Sequence, residues 1–100
     1  MDYKQELEKI ERTYQQKLAL TAIRKIEMMM LEDPKHIFSV KEIILKKLIP
    51  WIKHRQTVIK VIERGVLKAK IIKAENPNNN EYPMKGKDII SYLKKYSGLE

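Results

Sequence analysis

"HRQTVIKVIERG", residues 54 to 65, is the stretch on which the reading of this chain turns. Val58, Val61 and Ile62 stand at i, i+3 and i+4, which gives a helix one apolar face. Gly65 follows at the position where left-handed backbone ends a helix, and Val66 and Leu67 come next as the apolar residues that pack against such an end. The spacing predicts a capped helix with Arg55, Gln56, Thr57, Ile59, Lys60 and Glu63 on its outward face.

Working outward, "FSVKEIILKKL" (residues 38 to 48) carries a helix start: Ser39 and Glu42 form S-x-x-E, and Phe38 with Ile43 occupies the positions of a hydrophobic staple. A helix from Val40 to about Leu48 is expected, closed by Pro50, with Trp51 as a packing residue of the corner. Two helices joined by this turn make a helix-turn-helix. After Gly65 the apolar period shortens to two. "LKAKII" puts Leu67, Ala69 and Ile71 on one face and Lys68 and Lys70 on the other, a strand with a basic side. "ENPNNNE" reads as a turn, and "YPM" as the returning strand, with Pro83 confined to an edge. A last helix is expected around Lys87 to Tyr96, stopped at Gly98.

Towards the N-terminus the spacing predicts one long helix, begun by Asp2 with Gln5 as a capping pair and closed by Asp33-Pro34. Tyr3, Leu7, Ile10, Tyr14 and Leu18 form a narrow stripe on its charged first half. "LALTAIRKIEMMML", apolar nearly all round, is expected to be buried in the domain, with Met28 to Met30 as core filler. The projecting stripe needs a cover, either a second copy of the chain or the chain's own last helix. The fold class expected is α+β, mostly helical, with residues 1–34 as the long helix and 35–98 as the helix-turn-helix domain with its hairpin.

Composition narrows the chemistry. At 100 residues and 43% apolar content, one domain with a modest core fits. With no cysteine and two distant histidines, His36 and His54, neither a disulfide framework nor a metal site is expected, and no cofactor. No apolar run approaches the ~20 residues of a membrane span, and the charged N-terminus does not read as a secretory signal, so a cytoplasmic protein without membrane association is expected. No nucleophile and base pair and no glycine-rich phosphate loop stand out, so catalysis is not expected. The net charge of +8 is concentrated: residues 35 to 73 hold eleven basic groups against only Glu42 and Glu63. That is the distribution of a polyanion footprint, where each neutralised phosphate releases condensed counterions.

"FSVKE", "RQTVIKVIERGVLKAKII" and "YPMKGKDIISYLKKY" in this order resemble the winged helix-turn-helix of excisionases and MerR-type regulators, over roughly residues 37 to 96. The chain departs from that pattern in its N-terminal extension and in the distance from Glu42 to Gly65, where "KKLIPWIK" holds a surplus. The resemblance implies sequence-specific binding of double-stranded DNA, and a role like that of small accessory or regulatory factors of plasmids and other mobile DNA, acting at a promoter, recombination site or transfer origin. A homodimer is expected, and further protein partners on a DNA-bound assembly are compatible with it; the competing expectation is a protein-protein adaptor on a winged-helix scaffold. The residues expected to contact DNA in the wing are Lys68, Lys70, Lys73, Asn76, Asn78, Asn79 and Asn80, suited to a narrow, electronegative A·T minor groove. On the recognition helix they are Lys53, His54, Arg55, Gln56, Thr57 and Lys60. Lys41, Lys46, Lys85 and Lys87, with Lys35, Lys47 and Lys53, are expected to touch phosphate. The wing is expected to contribute at least as much as the helix. Tyr3, Leu7, Ile10, Tyr14 and Leu18 are the expected dimer contacts.

Overall fold

A computed structural model of the chain describes residues 3–99. It is α+β and mostly helical. Helix α1 (Tyr3–Glu32) is followed by a two-residue strand β1 (Ile37–Phe38), α2 (Val40–Leu45), α3 (Arg55–Glu63), a single 3-10 turn (Pro77–Asn79), β2 (Met84–Lys85) and α4 (Gly86–Ser97). The expected Asp2 cap lies outside the described residues.

At about 1.5 Å per residue, α1 alone accounts for most of the 55 Å long axis of the molecule. Its first half projects, and Tyr3, Leu7, Ile10 and Tyr14 are all exposed. In the second half only one face is buried: Ala19, Ala22, Ile23 and Ile26 pack into the core, while Leu20, Met28 and Leu31 stay in solvent. The all-round burial expected from "LALTAIRKIEMMML" is therefore corrected, because α4 and the core cover a single side of this helix. Leu18 is half-buried and so departs from the exposed line of the stripe before it.

α2 starts as its sequence predicts. Ser39 Oγ accepts a hydrogen bond from the Glu42 amide at 3.1 Å, and the staple residues Phe38 and Ile43 are fully buried. The Glu42 carboxylate is engaged by His36 Nε2 at 2.7 Å and by Lys46 Nζ at 3.0 Å. Burial opposes its ionisation, but the hydrogen bonds from His36 and Lys46 outweigh that, and its pKa lies below the usual carboxylate value. The helix ends at Leu45, three residues before the expected end. Lys47 adopts φ 53°, and the Leu48 amide donates to Ile43 O at 3.0 Å while the Lys47 amide donates to Ile44 O, which closes a Schellman motif without a glycine. Leu48 and Ile49 are thereby turned into the core.

The residues from Lys46 to His54 form the connection to α3, and Trp51 is packed within it. Its Nε1–H donates to the Tyr92 hydroxyl at 3.3 Å, and its ring stacks on Tyr96 with centroids 5.0 Å apart. Burial raises the Tyr92 pKa, against the lowering effect of the Trp51 hydrogen bond, so this phenol stays protonated. α3 buries Val58, Ile59 and Ile62. Ile59, expected to face outward, is a core residue, because α3 is covered over a wider arc than the Val58, Val61, Ile62 pattern indicates. Gly65 ends α3 at φ 76°, with its amide on Ile62 O and the Val66 amide on Val61 O.

The hairpin forms differently from expectation. Ile72 and Glu81 exchange backbone hydrogen bonds at 2.8 and 2.9 Å, and the Lys70 amide donates to Pro83 O at 3.0 Å. Only a bridge, not a pair of strands, joins these legs. The two-stranded antiparallel sheet instead pairs Ile37 with Lys85 and Phe38 with Met84. Residues 81 to 85 thus run between residues 70 to 72 on one side and β1 on the other. Pro83, expected on an edge, lies in this middle segment; lacking an N–H, it leaves its pairing with Lys70 with one bond in place of two. α4 follows at once. Gly86 opens it against Met30 and Phe38, where a Cβ would come within 2.5 Å of Met30 Sδ and 3.1 Å of Phe38 Cε2. No helix among the described residues is long and apolar enough to cross a membrane.

Candidate nucleic-acid interface

Lys68 and Lys70 alternate with buried Leu67 and half-buried Ala69, so the period-two pattern holds far enough to place both ammonium groups on the solvent side. Lys85 ends β2 and Lys87 lies in the first turn of α4, seventeen residues from Lys68 and Lys70 in each case. The three adjacent segments bring all four lysines to the wall of one groove, floored by Leu67, Ala69, Pro83 and Met84 and with Asp88 as its one acid. A neighbouring depression contains Lys35 and His36 and shares Lys85 and Lys87 with this groove. Half-exposed Ile37 belongs to both, so the basic surface is continuous around it.

A separate depression lies at the start of α3 and holds Ser39, Lys41, Arg55 and Asn80. Arg55 Nη2 donates to the backbone carbonyls of Asn80 at 3.2 Å and Asn78 at 3.4 Å. The residue expected to read bases therefore ties α3 to the tip of the 73–80 loop. Two of the loop's asparagines are spent in the same way. Asn76 Oδ1 accepts from the Asn78 amide at 3.0 Å, and Asn80 Oδ1 accepts from the Ala74 amide at 2.8 Å. The side chains of Asn78 and Asn79 point to solvent with no hydrogen bond of this kind, and Lys73 is exposed beside them without lining the groove.

Lys53, His54, Gln56, Thr57 and Lys60 are exposed along the entry and outer side of α3 and line neither basic depression. Lys46 is paired with Glu42 and, with Lys47, borders a different, apolar groove between α2 and the end of α1. The groove at Lys68 and Lys70 was readable only in part from sequence. Lys85 and Lys87 stood out as cations, but their convergence on Lys68 and Lys70 depends on the register in which Lys70 meets Pro83 and Ile72 meets Glu81, which the sequence pattern does not fix. Among the described residues, no group of three or more His, Asp or Glu side chains is placed to hold a metal ion.

No family model, no curated protein and no solved structure matches this chain.

Proposed function

We propose that this protein is a double-stranded DNA-binding module of winged helix-turn-helix type, acting as a dimer and serving as an accessory or regulatory factor of plasmid or other mobile DNA. In this reading α2 and α3 are the helix-turn-helix, residues 67 to 85 the wing, and α1 the dimerisation arm. The observation that carries it is the groove in which Lys68, Lys70, Lys85 and Lys87 converge beside the end of α3. Four lysines placed together by the hairpin, β2 and the start of α4 match the spacing demands of a phosphate track better than the same number scattered over the surface. Arg55 acts by fixing the wing tip, and the exposed Asn78 and Asn79 are the polar groups left at that tip to enter a minor groove. The link to mobile DNA rests on the family resemblance alone.

The test is an anisotropy titration of a labelled duplex pool at 50 and 200 mM salt, followed by selection of bound sequences. Four phosphate contacts predict a loss of about a hundredfold in affinity over that range. Enrichment of an A·T-containing motif supports a sequence-specific factor. No binding at the lower salt overturns the reading. The adaptor reading has one observation in its favour, the uncovered apolar stripe of α1, and it predicts little duplex affinity at any salt.

A further inference from the structure

We infer that two copies of this chain pair through the whole length of α1 as an antiparallel two-helix coil, with Leu7 facing the partner's Leu31 and Ile10 facing the partner's Met28. This deepens the dimeric reading above and rests on it.

The buried face of α1 fixes where its free face lies. Ala19, Ala22, Ile23 and Ile26 point into the core. Writing the helix as heptads with Leu7 at a and Ile10 at d places these four at positions f, b, c and f, opposite the a/d seam. The seam is exposed from end to end. Its apolar residues sit at the two ends, Tyr3, Leu7, Ile10 and Tyr14 at one and Met28 and Leu31 at the other, and each of them is more than 40% exposed, Leu31 reaching 83%. Lys17, Thr21 and Arg24, also exposed, occupy the middle. Two aligned apolar clusters on one helix face are not the scatter of single apolar residues normal on a monomer.

Apolar ends and a cationic middle decide the direction. Parallel pairing stacks Lys17 on the partner's Lys17 and Arg24 on the partner's Arg24 within the seam, and flanks it with Glu6 against the partner's Glu11 and Glu27 against the partner's Glu32. All four contacts are between like charges. Antiparallel pairing in the register above sets Tyr14 against the partner's Arg24, a ring under a guanidinium, and Lys17 against the partner's Thr21. At the flanks, Glu11 meets the partner's Lys25, while Leu20 meets the partner's Leu20 near the two-fold axis. Each pair of unlike residues occurs twice by symmetry.

The groove between α1 and α2 supports the same register. It is lined by Lys25, Met28, Glu32, Leu45, Lys46 and Lys47, three lysines to one acid, and Leu45 is 70% exposed. The first half of the partner's α1, carrying Glu8 and Glu11 beside Leu7, passes along this rim with acid against Lys25 and Lys47, since Lys46 is held by Glu42. A short overlap confined to the first fourteen residues leaves Met28, Leu31 and Leu45 in water.

The test uses the absence of cysteine. Leu7→Cys and Leu31→Cys proteins are mixed and treated with a short thiol-specific cross-linker, beside each variant alone and beside Leu7→Cys mixed with Ile10→Cys. The expected result is a covalent dimer from the Leu7→Cys and Leu31→Cys mixture only, because the two Leu7 positions lie about 36 Å apart in this register. In parallel, Glu11→Lys should weaken dimerisation at least tenfold by sedimentation equilibrium, and adding Lys25→Glu should restore it. Cross-linking of Leu7→Cys alone, or of Leu7→Cys with Ile10→Cys, overturns the register while leaving a dimer. A monomeric mass at every concentration overturns both the register and the dimeric reading. Duplex affinity, read separately, bears on neither result.

Discussion

The outer side of α3 and the groove at residues 67 to 87 carry equal numbers of cations: Lys53, Arg55, Lys60 and Arg64 on the first, Lys68, Lys70, Lys85 and Lys87 on the second. They differ in what the fold does with them. Around α3 Lys53, Lys60 and Arg64 line neither basic depression, and Arg55 is committed to two loop carbonyls; each region holds one acid, Glu63 beside α3 and Asp88 in the groove. In the groove, lysines from three chain segments face a common concavity. A polyanion senses the second arrangement more strongly, since its field is the sum of charges within about a Debye length over a low-dielectric wall. Equal charge in the sequence is thus not equal charge at a site.

Breaking the groove should have the largest effect. Lys68→Ala with Lys70→Ala should lower duplex affinity by about ten- to a hundredfold at moderate salt and reduce the salt slope by about two, whereas Gln56→Ala with Lys60→Ala should cost about threefold. A reversed order in the same titration moves the interface to α3. Next comes the packing beneath the segment that carries Lys85 and Lys87. Gly86→Ala places a methyl against Met30 and Phe38 and should destabilise the fold by about 1–3 kcal/mol in urea unfolding. Met30→Ala in the same chain should recover part of that loss, because the nearest clash is with the Met30 side chain.

The link between the two regions is Arg55. Its replacement by Ala should cost about 1 kcal/mol of stability and speed amide exchange in residues 74 to 80, with a smaller loss of DNA affinity than the Lys68, Lys70 pair. The smallest effect concerns the turn that presents α3. Lys47→Gly relieves left-handed backbone at φ 53° and should raise stability by about 0.5–1 kcal/mol in thermal unfolding.

How much of this was legible in the sequence differs by region. α1, the Ser39 cap, the Gly65 end of α3 and the Gly98 stop were readable, because each depends on residues within one or two turns of one another. The premature end of α2 was not, since Lys47 takes the conformation that usually announces itself as glycine. The inward turn of Ile59 depends on how much of α3 its neighbours cover, which is tertiary. Nor did the alternation in "LKAKII" reveal that the returning leg would also pair with β1, forty-eight residues earlier at the Ile37 and Lys85 pair, as well as bridging to the hairpin's own first leg. At the site, cations were visible one by one, but their grouping was not. For Arg55, Asn76 and Asn80, side chains suited to base edges are equally suited to backbone groups nearby, and the fold uses them there.

The most direct test of the groove as the DNA-binding surface is a two-dimensional amide NMR titration of the intact protein with the selected duplex. The account predicts the largest shifts at residues 67 to 73 and 85 to 88, with a second set at Asn78 and Asn79. Shifts confined to residues 53 to 64, with the groove residues unmoved, would contradict it.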